Sequence, residues 1–217
     1  MLIGCNSKVQ KIQNSVSVWG VGTVSAEPDM VQISFRCSHI APTTKEAKKA
    51  VEQTMQQILK ILQEEKIEDK FVKTVGLYYD EAYVYKGERR ILIGRAVRQT
   101  TEVTINDIIN SPERFSSILD KISEIDKVEV LGIDFGIENK TELFKQSREL
   151  AYQKALEKAN QYAQLSGRKI GEVITVSERV SPFYALYDAC AHSFGDSSIP
   201  TGKKEVTTEI NVVFSLE

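Results

Sequence analysis

The residues with the most chemistry to offer are two Cys-x-His pairs, Cys37 with His39 and Cys190 with His192. Residues two apart on a strand point to the same side, so Cys37 and His39 would present a thiol and an imidazole together. Thiolate and imidazole ligands suit zinc or copper, and a site joining all four residues is one reading. The competing reading is a buried thiol with histidines at element edges. It is preferred, because these are the chain's only histidines and neither has a further ligand at local spacing. Cys37 also continues the apolar face of Val31, Ile33 and Phe35, where a thiol behaves as a small hydrophobe. No resident metal and no cofactor are therefore expected.

Other constellations fail on their own terms. Gly20-Val21-Gly22 invites a dinucleotide-binding reading, but there is no third glycine and no helix follows, since Pro28-Asp29 leads into another strand. No Gly-x-Ser-x-Gly, P-loop or isolated carboxylate pair is present, so hydrolase readings have no anchor. No catalytic residue is assigned, and the chain is expected not to be an enzyme. Tyr78, Tyr79, Tyr83 and Tyr85 near Arg89, Arg90, Arg95 and Arg98 read either as a binding surface or as cross-strand packing on a sheet with one wet face. The packing reading is preferred, with an exposed or oligomer-facing hairpin tip accounting for imperfect alternation. Residues 181–203, carrying Tyr184, Tyr187, Cys190 and His192, lack periodicity and are unusually long for a loop, which supports an alternative role in binding a small ligand or metal.

Composition sets outer bounds. The 217 residues can build a proper core, and 41% hydrophobic with 27% charged residues is ordinary for a soluble globular protein. A net charge of −2 gives no electrostatic case for nucleic acid. No uncharged apolar run reaches the roughly 18 residues of a spanning helix, so the body is expected to be soluble. Three scattered cysteines argue against a complete disulfide framework. Cys5 sits in Leu2-Ile3-Gly4-Cys5, which resembles a bacterial lipobox, although a basic region and most of the apolar stretch that precedes such a site are missing. Two readings stay open: lipidation at Cys5, giving a membrane tether, and a disordered tail with a chance cysteine.

The elements that must position these residues follow from periodicity. Residues 1–13 read as a tether and 14–217 as one α+β domain. Val16–Phe35 reads as two alternating strands, about 15–25 and 30–40, joined by a tight turn at Ala26–Asp29. Gly20 and Gly22 leave a side-chain gap on one face, where a helix can press close. Helix one opens at Thr43 with Glu46 completing a capping box, and buries Ala47, Val51, Met55, Ile58, Leu59 and Leu62. Strands at about 71–85 and 90–106 form a hairpin with a longer loop. Helix two starts with Ser111 as N-cap and Pro112 behind it. A strand at about 127–138 presents Leu131, Ile133, Phe135 and Ile137 on one face. Helix three runs from about Thr141 to Ser166, stops at Gly167, and carries Ala151, Ala155, Ala159 and Ala163 every fourth residue. That flat ridge is expected over the Gly20–Gly22 gap. Strands at Glu172–Arg179 and Glu205–Leu216 complete the order ββαββαβαββ, largely antiparallel sheet with helices on one face.

Taken together, these motifs resemble one family. Val18-Trp19-Gly20-Val21-Gly22-Thr23-Val24 followed by Pro28-Asp29 is similar to the G-x-G-x-V-x-x-x-P-D opening of SIMPL-domain proteins. Lys73-Thr74, Gly94-Arg95-Ala96, Gly132-Ile133-Asp134-Phe135, Ser166-Gly167 and Ile199-Pro200-Thr201-Gly202 follow in the same order, over roughly residues 14–217. The resemblance implies a periplasmic or envelope-associated bacterial protein of poorly defined function, discussed as an antigen or stress-related factor, with some members assembling into oligomers. It supplies no catalytic residues. With the strand edges that such a sheet leaves to be covered, it leads to the expectation of a homo-oligomer without enzymatic activity.

Overall fold

The computed structural model describes residues 14–179 and 202–217. Their order is β1 (Ser15–Ala26), β2 (Met30–Ala41), α1 (Thr44–Glu64), β3 (Val72–Lys86), β4 (Arg89–Asn106), α2 (Pro112–Ser123), β5 (Val128–Gly136), α3 (Thr141–Leu165), β6 (Ile170–Arg179) and β7 (Lys204–Leu216). This is the expected α+β succession. Cys5, Tyr184, Tyr187, Cys190 and His192 lie outside the described residues.

The first two strands do not form a hairpin. β1 pairs along its whole length with β7, from Ser15 opposite Ser215 to Ala26 opposite Lys204, in a three-stranded antiparallel sheet ordered β1-β7-β6. β2 lies in a different, four-stranded sheet ordered β3-β4-β2-β5. Local alternation reports a strand but not its partner, and Pro28-Asp29 is a crossover between sheets and not a turn. Two compact units result, the one holding β1, α3, β6 and β7, the other spanning Glu27–Glu138.

In the second unit, Asp29 secures the crossover. Its backbone N–H donates to the Gly136 carbonyl at 3.0 Å, its carbonyl accepts from Ile108 N–H at 3.1 Å, and its Oδ1 accepts from Glu138 N–H at 2.7 Å. The core of this unit lies between the sheet and two helices. Val31, Ile33, Phe35 and Cys37 of β2 and Val97, Val103 and Ile105 of β4 pack under Ala47, Val51, Met55, Ile58 and Leu62 of α1 and Phe115, Ile118 and Ile122 of α2. Phe115 meets Phe135 edge-on, ring centroids 5.7 Å apart.

Local signals set the helix ends. Thr43 and Glu46 form the capping box, with Glu46 N–H donating to Thr43 Oγ1 at 3.3 Å and Thr43 N–H to Glu46 Oε2 at 3.1 Å. Ser111 holds the N-cap position of α2, but its hydroxyl makes no capping bond. Gly167, at φ +70°, closes α3 as Arg168 N–H donates to the Ala163 carbonyl at 2.8 Å.

Two expected core residues face solvent. Leu59 is exposed, since the α1 stripe turns through Thr54, Met55 and Ile58 instead. Leu131 is exposed because pairing slips by one residue between Ser34 and Phe35, so that Ile33 opposes Ile133 while Phe35 opposes Val130. A single bulged residue reverses which face the rest of a strand presents.

Candidate functional site

The glycine gap is filled as the Ala ridge implies. A β-carbon on Gly20 would stand 2.8 Å from Ala155 N and 2.9 Å from Ala155 Cβ, and it would run into the Ala151 carbonyl oxygen. One on Gly22 would stand 2.6 Å from Ala151 N and run into the Ser147 carbonyl oxygen. The middle of α3 covers both glycines, so the Gly-x-Gly meets a helix flank and not a helix N-terminus that could cradle phosphate. Val18, Ala151, Ala155, Ala159, Ile210, Val212 and Phe214 complete that core.

Cys37 and His39 are placed side by side on β2 but engage different atoms of α1. Cys37 Sγ lies 3.5 Å from Met55 Sδ, fully buried, and burial pushes its thiol up to about 11. A thiol so protonated at neutral pH is a poor nucleophile and a poor metal ligand. His39 Nε2 is hydrogen-bonded to Thr54 Oγ1 at 2.8 Å. Burial, followed by the nearby Lys127 cation, holds its pKa below the ordinary histidine value, with Asp126 opposing them. Among the described residues, no cluster of three or more His, Cys, Asp or Glu is arranged to hold a metal.

Tyr78 and Tyr79 lie in the four-stranded sheet, opposite Arg98 and Val97, and are exposed, whereas Tyr83 and Tyr85 stand beyond the end of that sheet. β2 ends at Ala41 opposite Arg95, and β3 and β4 continue beyond it as a two-stranded ribbon. Past a bulge at Ala82/Tyr83, the pairs run Tyr83–Leu92, Val84–Ile91, Tyr85–Arg90 and Lys86–Arg89. The loop is only Gly87-Glu88, with Gly87 at φ +60°, as the first position of a II′ turn requires. Tyr85 is 73% exposed, and Val84, Ile91, Leu92 and Ile93 are exposed with it. Nearer the body, Glu81 accepts from both Tyr83 Oη and Arg95 Nη1, and Asp80 pairs with Arg98. The Arg90 guanidinium lies 3.5 Å above the Tyr83 ring centroid. An exposed hairpin tip was among the expectations from sequence, but the register that leaves Tyr83 and Tyr85 beyond β2 was not, because alternation does not report which residue of β4 opposes Ala41.

A second exposed apolar surface went unnoticed in the sequence. In β6, every residue from Glu172 to Arg179 is exposed, including Val173, Ile174 and Val176. β6 pairs with β7 on one side, and among the described residues no strand pairs with the other. Arg148 anchors it to α3 through two bonds to Glu178, Nε to Oε2 at 2.8 Å and Nη2 to Oε1 at 3.2 Å. The sequence cue was present: Glu172–Arg179 has no clean apolar/polar alternation to bury.

No described helix is long and apolar enough to cross a membrane. The sequence model of the SIMPL family, described as a protein of unknown function, matches residues 16–214. The chain is 24% identical over 215 residues to the 26 kDa periplasmic immunogenic protein of Brucella melitensis, covering 93% of this chain and 84% of that one. It is 26% identical over 208 residues to the uncharacterized protein YggE of Edwardsiella ictaluri, covering 91% and 84%. It is 24% identical over 204 residues to YggE of Escherichia coli K12, covering 91% and 81%.

Proposed function

This chain belongs to the SIMPL family, and on that premise we propose that it is a non-enzymatic protein of the bacterial cell envelope that assembles with copies of itself in a structural or stress-related role. The envelope location is carried over from the relative named as periplasmic. Tethering through an acylated Cys5 is part of the proposal, and stable anchoring would need more than one acyl chain there.

The observation that carries assembly is the outer edge of β6. Exposed strand edges with apolar side chains pair with other chains unless blunted by charge, proline or a covering element. Between Glu172 and Glu178, β6 holds no charge and no proline. Pairing of β6 with a strand of a second copy would satisfy the backbone groups that no strand pairs among the described residues, and would help cover Val173, Ile174 and Val176. Size-exclusion chromatography with light scattering tests this. The expected result is an oligomer for the parent chain and a smaller species for Ile174→Lys or Val176→Lys, both folded. A monomer at high micromolar concentration for the parent chain would overturn it.

A further inference from the structure

The ribbon beyond Ala82 and Gly94 presents a different surface. Isolated two-stranded hairpins are marginal in water, and this one exposes apolar side chains on both faces. Its turn is cationic: Lys86, Arg89 and Arg90 stand against Glu88 alone, on a chain whose net charge is −2. Among the described residues, no salt bridge engages Lys86 or Arg89, whereas the charges nearer the body are paired as Glu81 with Arg95 and Asp80 with Arg98. Positive charge is thus concentrated where the apolar side chains protrude furthest.

We propose that the β3–β4 ribbon, through Tyr83, Tyr85, Ile91 and Leu92 with Lys86, Arg89 and Arg90, docks on the surface of an anionic phospholipid bilayer. The charge pattern selects this occupant. Arginine and lysine interact with lipid phosphates, tyrosine belongs at headgroup depth, and short aliphatic side chains reach the acyl boundary. Val84 paired with Ile91 forms the apolar face, and Tyr83 beside Leu92 carries Arg90 on its ring toward the headgroups. End-to-end contact with the same ribbon of a second copy would set like charges together, which disfavours that partner. The inference stands apart from assembly through β6 and from any acyl tether, since it concerns only the bare protein and lipid.

Vesicle co-sedimentation tests it on the full chain carrying Cys5→Ser, which removes the acylation site. Binding to phosphatidylglycerol-containing vesicles, weak binding to pure phosphatidylcholine vesicles, and loss of binding with added salt are expected. Arg89→Gln with Arg90→Gln is expected to weaken binding about thirtyfold, from the contribution of two cations near an anionic surface. Tyr85→Ser with Leu92→Ser is expected to weaken it while leaving the salt dependence in place. The melting temperature of each variant checks folding. Equal binding to both vesicle types, or no binding, would overturn the proposal. So would a lower oligomeric state with unchanged vesicle binding in the ribbon variants, Arg89→Gln with Arg90→Gln or Tyr85→Ser with Leu92→Ser, because the ribbon would then contact another copy of the chain.

Discussion

The carbonyl oxygen of Ala151 occupies the space in which a side chain on Gly20 would begin. The helix and the strand touch backbone to backbone there, a contact only glycine on β1 and a small residue on α3 allow. Gly20→Ala is therefore expected to destabilise by about 3 kcal/mol, at the upper end of overpacking costs, because a main chain cannot step aside as a flexible side chain can. Gly22→Ala, directed at the Ser147 carbonyl, should behave alike. Gly132→Ala, whose added carbon would meet nothing within 4 Å, is the control and should change stability by less than about 1 kcal/mol. Urea denaturation followed by circular dichroism would show the contrast.

Beside that contact, Ser147 and Thr208 share a buried hydroxyl pair at 2.6 Å. Ser147 Oγ also donates to the Phe144 carbonyl at 3.0 Å, which leaves Thr208 as the donor between the two hydroxyls. The two deletions should therefore differ. Ser147→Ala strands a buried donor and should cost about 1–3 kcal/mol, whereas Thr208→Val leaves Ser147 still bonded and should cost about 1 kcal/mol or less. The double variant should be less damaging than the sum of the two, and a denaturation cycle would measure the coupling.

Asp29 holds the crossover through its side chain as well as its backbone. Asp29→Ala leaves Glu138 N–H without its partner and should cost about 1–2 kcal/mol, while Asp29→Asn keeps a carbonyl oxygen in place and should cost less. Thermal melts of both variants decide this. Equal losses would mean that the carboxylate charge, not the acceptor, matters.

His39 makes stability depend on pH. Its folded pKa lies below the ordinary 6.5, so the unfolded chain takes up a proton first as pH falls. The contribution is fully present above about pH 6.5 and is lost as pH drops through the folded value. Melting temperature should fall on acidification below 6.5, and His39→Gln should flatten that part of the profile. A profile unchanged by the substitution would assign the slope to other groups.

Much of this molecule was legible in the chain. Helix starts and stops are written in side chains that bond within a few residues, so Thr43 with Glu46 and the Gly167 terminus could be read directly. The α3 alanines and the paired glycines could be matched because each records the same close approach from its own side. What the sequence did not disclose was long-range. Nothing in Val16–Phe35 tells which strands β1 and β2 choose, because hydrogen-bonding edges are backbone and identical in every strand. Nor did it show the bulge opposite Ser34/Phe35 that turns Leu131 outward, or the register that sets the end of β2 at Ala41 opposite Arg95 and leaves the ribbon without that neighbour. Composition and periodicity thus determined the elements and most of their inward faces. Tertiary pairing alone decided which apolar residues stay in water, because exposure depends on where a partner strand stops.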